Sequence, residues 1–185
     1  MRGGNETDAL AGFVMGAFAD ALEGKINCLG GVYRAGTGTA MYYLWHAREL
    51  GATADGRRKG EPFGTNFSPG IFAKIPGPVS VINSFTANDM KRNMNGGPLT
   101  LEFSSIIFKN NESITKIASL IQYFIKRGGH QLQLNSVNLE TMKAAQADPA
   151  AYRNLVVRIW GWSAYFVELD KEFQDHVMKR QEYTV

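Results

Sequence analysis

The hydrophobic positions of this chain change period several times, and each change marks an element. Leu10, Phe13, Val14, Ala17, Phe18 and Ala21 recur at three- and four-residue steps, from a polar start at Asn5-Glu6-Thr7-Asp8 to a stop near Gly24. That spacing predicts a helix that buries one face. Met41 to Leu50 reads as a second helix, ended by Gly51. Phe67-Ser68-Pro69-Gly70 reads as a turn, and Pro78 to Phe85 is apolar but too short for its period to decide between strand and helix. After Gly96-Gly97-Pro98, Leu99-Thr100-Leu101-Glu102-Phe103 alternates as a strand does. Ile114, Ile117, Ala118, Ile121, Phe124 and Ile125 return to helical spacing between Ser113 and Arg127, with Lys126 and Arg127 suited to the negative helix end and Gly128 as the stop.

The period of two comes back at Gln131-Leu132-Gln133-Leu134-Asn135. Leu132 and Leu134 face one way, and Gln131, Gln133 and Asn135 the other, so a buried polar face there must find partners in a neighbouring loop. Asn138 can cap a helix running to Ala147, and Asp148-Pro149 opens a short turn. The β-branched residues Val156, Val157 and Ile159 predict a strand that climbs to Gly161, between Trp160 and Trp162. Asp170 then caps a terminal helix with Phe173 and Val177 on its packed face, and Gln181 to Val185 reads as surface.

Composition narrows the function classes. Apolar residues make up 44% of the chain and aromatics 11%, enough for a packed core. The net charge of +3 comes from scattered Lys and Arg, apart from Arg57-Arg58-Lys59, which argues against nucleic acid as a partner. No apolar run is long enough to span a bilayer, and Met1-Arg2-Gly3-Gly4-Asn5 lacks the apolar core of a signal peptide. A single cysteine, Cys28, cannot form an internal disulfide. A soluble cytoplasmic protein without membrane contact is expected.

Few residues look chemical on their own. Cys28, in Ile26-Asn27-Cys28-Leu29, reads as a small buried thiol. The glycine-rich run from Gly30 to Thr39 lacks the Lys-Ser/Thr ending of a phosphate loop and reads as a turn into a helix. His46 has no second histidine or carboxylate one turn away in a metal pattern, so no metal site is expected. His130 reads as a hydrogen-bonded structural residue. From residue types alone, the stretch from Val156 to Phe166 is a buried strand with aromatic neighbours and a turn at Gly161.

Three stretches together say more. Arg158-Ile159-Trp160-Gly161-Trp162-Ser163 resembles the C-terminal signature of the glycyl radical enzymes, the family of pyruvate formate-lyase, glycerol and diol dehydratases, choline trimethylamine-lyase and the arylacetate decarboxylases. The loop Gly51-Ala52-Thr53-Ala54-Asp55-Gly56-Arg57-Arg58-Lys59-Gly60-Glu61-Pro62 resembles a second motif of that family, and Gly128-Gly129-His130-Gln131-Leu132-Gln133-Leu134-Asn135 a third, all in the family's order. The start at Gly4-Asn5 is similar too.

The resemblance implies the C-terminal part of a ten-stranded α/β barrel of the glycyl radical enzyme type, with a strand leading into a buried glycine radical loop. Residues 1–185 would form one glycyl radical domain, its radical loop at 156–166. The cofactor implied is protein-derived: a radical stored on the backbone of Gly161. Delocalisation between an amide that donates and a carbonyl that withdraws needs a flat α-carbon, and glycine alone has no Cβ to crowd it. Arg158, Trp160, Trp162, Ser163, Gln133 and Asn135 would support the loop, while Trp160, Trp162, Tyr165 and Phe166 would keep out water and oxygen.

The partners implied are a radical S-adenosylmethionine activating enzyme, which brings the iron-sulfur cluster, and an N-terminal portion or companion chain carrying the thiyl cysteine. That cysteine is commonly followed two residues on by glutamate. Cys28 is followed by Leu29-Gly30 and does not match. A small-molecule substrate would bind largely outside this chain, and the full enzyme could be a homodimer. Trp-Gly-Trp-Ser, Tyr-Phe-Val-Glu-Leu-Asp and Gln-Asp-His look closest to the arylacetate decarboxylases, which predicts a carboxy-lyase. Alternatives are another lyase, dehydratase or formate acetyltransferase reaction, or a spare-part subunit that restores an oxygen-damaged enzyme.

Overall fold

The computed structural model describes residues 4–39, 42–70, 73, 75–180 and 182–183. The N-terminal Met1-Arg2-Gly3, the Met41 end of the second helix, and Gln181, Thr184 and Val185 of the tail lie outside the described residues.

Three helices come first: α1 (Gly4–Leu22), α2 (Tyr42–Glu49) and α3 (Pro78–Thr86). The undecided segment at Pro78 is helical: proline sits in the first turn, where a missing N–H costs nothing, and Val81, Ile82 and Phe85 are buried at helical spacing. Strand β1 (Leu99–Ser104) then leads through α4 (Asn111–Lys126) to a parallel neighbour, β2 (Leu132–Val137). In α4, Asn110 Oδ1 caps the start by accepting from the Ser113 N–H at 2.7 Å. Gly128, at φ 83°, ends the helix in the left-handed conformation that glycine tolerates.

The chain continues through α5 (Leu139–Ala147), β3 (Val156–Arg158), β4 (Ser163–Tyr165), α6 (Lys171–Met178) and β5 (Glu182–Tyr183). Strand β5 pairs in parallel with the other side of β1, giving the order β2-β1-β5. The expected surface tail is therefore partly a strand, with Tyr183 only 5% exposed, because β1 offers it an open edge.

Register sorts the sheet's two faces. Leu99 lies beside Leu132 and Leu101 beside Leu134, while Thr100 lies beside Gln133 and Glu102 beside Asn135. One face is thus apolar and packs with Phe103 against α3 and α4. The other face carries a polar stripe, and it looks toward a second core built from α2, α5, α6 and the β3–β4 segment, where Tyr43, Met142, Ile159, Trp160, Phe166 and Phe173 meet.

Several expectations need correction. Helix α1 forms, but Leu10, Phe13, Val14 and Phe18 are 48–73% exposed, and Ala19 is its buried apolar residue. Met15 packs against the sheet core, and the Ser84 Oγ to Asp8 hydrogen bond and the Arg92–Asp20 ion pair add polar ties. Helix α4 buries Ser113, Ile117, Leu120 and Phe124 and leaves Ile114 and Ile125 outside, since it has one sheet face to cover. Cys28 is exposed rather than buried, because Asn27 Oδ1 bonds the N–H groups of Leu29 and Gly31 and turns the chain out at that point. Asp170 stands at the start of α6, but its side chain makes no capping bond. Among the described residues no helix is long and apolar enough to cross a membrane.

Candidate functional site

The stretch expected to be one strand is a hairpin. Val156 pairs with Tyr165, Val157 with Ala164 and Arg158 with Ser163, and the Ile159 N–H donates to the Trp162 carbonyl at 2.9 Å. Trp160 and Gly161 are the two central residues of the closing turn. Gly161 has φ 82° while Trp160 does not enter the positive-φ region, the pattern of a type II turn, which requires a residue free to adopt positive φ at its third position. Apart from its neighbours Trp160 and Trp162, an ideal Cβ on Gly161 would meet nothing within 4 Å among the described residues, so the α-carbon has room to flatten. The loop expected to be buried is open at its tip: Gly161 is exposed, because the flanking Trp160 turns into the second core and no described residue beyond its chain neighbours packs over the glycine.

The aromatic fence is only partly closed. Ile159, Trp160 and Phe166 are at most 6% exposed and anchor the hairpin in the second core, but Trp162 is half-buried and Tyr165 is 46% exposed. Tyr165 points away because it alternates with Ala164 and Phe166.

A chain of polar contacts ties the hairpin to the sheet. Arg158 donates through Nη1 to Ser163 Oγ and through Nε to Gln133 Oε1, both at 3.2 Å. Gln133 Nε2 donates to Asn135 Oδ1 at 3.1 Å, and Asn135 Nδ2 to Glu102 Oε1 at 2.9 Å. Arg180, just past α6, closes the circuit: its Nη1 donates to the same Glu102 oxygen at 3.0 Å and to the Arg158 carbonyl at 2.9 Å. The Arg180 guanidinium carbon lies 4.3 Å from the centre of a Trp160 ring. The structure thus brings Arg158, Ser163, Gln133 and Asn135 into one network; Trp160 joins it through Arg180, and Trp162 through the hairpin backbone.

Glu102, Arg180 and His176 are residues that sequence reasoning missed. The Glu102 and Arg180 side chains are each 5% exposed. Burial pushes the Glu102 carboxyl above its ordinary range, and Arg180 and Asn135 pull it part of the way back. His176, on α6, packs its ring 4.7 Å from that of Tyr43; burial, with Arg180 and Lys179 nearby, lowers its pKa to about 3. The one available signal was Glu102, a charged residue inside the alternating strand β1, where a buried carboxylate demands a cation.

The Gly51–Pro62 loop is organised by Arg57 rather than exposing it. Arg57 is 6% exposed, donates to the carbonyls of Gly51, Arg58 and Glu61, and lies over the Phe63 ring at 4.0 Å. His130 is exposed and stacks near Phe85; His46 is exposed beside Tyr42, and, contrary to expectation, a carboxylate does stand one turn away, with Glu49 Oε2 3.9 Å from His46 Nδ1. Among the described residues no group of three or more His, Cys, Asp or Glu side chains is placed to hold a metal.

Residues 65–167, which include both the Gln133–Asn135 strand and the Gly161 hairpin, match the family described as "Glycine radical". This chain belongs to the glycyl radical family. Among its relatives, (2S)-3-sulfopropanediol dehydratase of Klebsiella oxytoca is 31% identical over 179 residues, 95% of this chain and 22% of that enzyme. Indoleacetate decarboxylase of Tractidigestivibacter scatoligenes is 33% identical over 143 residues, 75% of this chain and 16% of that enzyme. The solved structure of the glycerol-bound B12-independent glycerol dehydratase from Clostridium butyricum superposes with a TM-score of 0.92 at 28% identity, covering 98% of this chain and 23% of that one. The fold is that of the C-terminal portion of a glycyl radical enzyme barrel. The chain spans about a fifth of the length of these relatives. The cofactor the family implies is a protein-derived glycyl radical, and the geometry at Gly161, with no Cβ and open space around the α-carbon, fits it.

Proposed function

We propose that Gly161 is the radical-storing residue of a glycyl radical enzyme and that residues 1–185 act as its glycyl radical domain. The observation that carries this reading is the Gly161 turn: a glycine within the family match, at the tip of a hairpin, with room around its α-carbon. Arg158, Ser163, Gln133 and Asn135 hold the hairpin in register with the sheet, and Trp160 and Trp162 flank the glycine. When formed, the radical supplies a stored odd electron on the backbone. The chain's own residues position that atom and seat the hairpin.

The hydrogen on the Gly161 α-carbon is removed under anaerobic conditions by a radical S-adenosylmethionine activating enzyme, whose iron-sulfur cluster does the cofactor chemistry. Exposure of Gly161 at the tip suits access by such a partner. The thiyl cysteine belongs to a further portion of the enzyme, since Cys28 lacks the family pattern. Two features favour such a portion: the exposed stripe of Leu10, Phe13, Val14 and Phe18 on α1, and the position of β2 at the edge of a parallel sheet, a sheet type that is normally covered.

The reaction we propose is that of a lyase. Decarboxylation of an arylacetate is the narrower reading carried by Trp160-Gly161-Trp162-Ser163; the named relatives include a dehydratase matched over more of the chain as well as a decarboxylase. The reading is tested by anaerobic treatment with an activating enzyme and electron paramagnetic resonance on the wild type and Gly161→Asn. Asparagine tolerates the positive φ of the turn but carries a side chain on the α-carbon. A glycine-type signal in the wild type alone supports the assignment. A signal of equal size in Gly161→Asn overturns it.

A further inference from the structure

We propose that Arg180 is the positioning residue that clasps the Gly161 hairpin to the sheet, and that its release frees the hairpin to move as a unit; the functional consequence rests on Gly161 being the radical site. Among the described residues β3 and β4 pair only with each other and add no strand to β2-β1-β5, so no backbone ladder there joins the hairpin to the main sheet. The backbone hydrogen bonds that close it, Ile159 to Trp162 and Phe166 to Leu155, are internal. Its attachment is therefore made by side chains: Ile159, Trp160 and Phe166 pack in the second core, Gln174 Nε2 donates to the Phe166 carbonyl at 3.0 Å just past β4, and on the β3 side the polar contacts meet at Arg180.

Arg180 occupies the centre of that attachment. One nitrogen, Nη1, bridges a carboxylate on β1 and the Arg158 carbonyl on β3, at 3.0 and 2.9 Å. The guanidinium carbon also lies 4.3 Å from the centre of a ring of Trp160, the residue before the glycine. Three attachments thus converge on one side chain: the β1 carboxylate, the hairpin backbone and the hairpin's buried aromatic. A buried ion pair of this kind adds little net stability, because desolvation offsets most of the attraction, yet removing one partner strands the other charge. Such an arrangement fixes one geometry more than it deepens the fold. A lysine ammonium can still donate to Glu102 and to the Arg158 carbonyl, but it lacks the planar guanidinium that packs against the indole.

The test is amide hydrogen exchange by mass spectrometry on the full chain, comparing the wild type with Arg180→Lys, Arg180→Met and Glu102→Gln, with no activation. Peptides covering 156–166 are expected to exchange about tenfold faster in Arg180→Met, while those of α4 and β2 keep wild-type protection. Arg180→Lys and Glu102→Gln are expected to show the same selective change at smaller size. Unchanged exchange at 156–166 in all three variants overturns the proposal. So does a uniform loss of protection in Arg180→Met with no selective change in the two milder variants. In a second arm, treatment with an activating enzyme is expected to generate the radical faster in Arg180→Lys than in the wild type. Selective exchange with no radical in any protein retains the clasp and rejects the radical reading; a radical that forms at the same rate in both overturns the clasp's role in activation.

Discussion

Arg158 Nε lies 3.2 Å from Gln133 Oε1, which joins the Gly161 hairpin to the strand preceding it by 25 residues. Gln133 in turn holds Asn135, and Asn135 holds the buried Glu102. Position in this relay sets the cost of breaking it. Gln133→Leu removes a partly exposed link and is expected to cost about 1 kcal/mol, whereas Asn135→Leu removes a hydrogen bond to a buried carboxylate and is expected to cost about 2 to 3 kcal/mol. Chemical denaturation of the two variants checks the order. A larger loss in Gln133→Leu than in Asn135→Leu contradicts it.

Gly161→Ala separates backbone strain from steric clash. Beyond its neighbours Trp160 and Trp162, no atom of the described residues lies within 4 Å of the added Cβ, so the cost comes chiefly from placing a side chain at φ 82°. A destabilisation of about 1 to 2 kcal/mol is expected, with the hairpin retained. Loss of more than twice that in a denaturation curve would mean the turn is tighter than its geometry shows.

Stability should fall in mild acid because of His176. Its pKa in the folded chain is about 3 against an ordinary value of 6.5, so it is neutral in both states at pH 7. Below 6.5 the unfolded chain takes up a proton that the folded chain refuses. Stability then declines by up to about 1.4 kcal/mol per pH unit until the folded value is reached. Glu102 has the opposite sign: its folded pKa is raised above 4.5, so the folded state binds its proton first and recovers some stability as the pH falls through that raised value. Thermal melts from pH 7 to 5 should show the wild type losing Tm and His176→Gln losing less. Parallel curves contradict the assignment.

The Gly51–Pro62 loop should depend on Arg57 and ignore its neighbour. Arg57→Lys gives up bonds to three backbone carbonyls and the stacking on Phe63, and is expected to cost about 1 to 3 kcal/mol. Arg58→Ala changes an exposed side chain and should stay within about 0.5 kcal/mol of the wild type. Equal losses in the two variants would contradict the division.

Much of this was written in local pattern. The helical spacing of Ile117, Phe124 and their neighbours, the alternation around Leu101 and Leu134, and Gly128 as a stop each follow from a few adjacent residues, and each has its place in the structure. What stayed hidden depends on pairing at a distance. The period of two told that Gln133 and Asn135 share a face, but only register with β1 reveals that Glu102 lies between that face and Arg180. Val156 to Phe166 reads from residue types as one buried strand, and the reversal at Gly161 into Ser163-Ala164-Tyr165 stays hidden because three residues carry too little period. For α1 the apolar stripe was real and its burial was not: periodicity reports which residues share a face, and leaves open whether anything covers it.

The central claim is that the radical resides on Gly161, and a brief pulse of air after anaerobic activation tests it most directly. A carbon-centred backbone radical adds oxygen and the chain is cut there. Intact mass spectrometry should then show an N-terminal piece ending at Gly161 in the wild type and an uncut chain in Gly161→Asn. Cleavage elsewhere, or an uncut wild type alongside a full-length relative that is activated and cut under the same conditions, would contradict it.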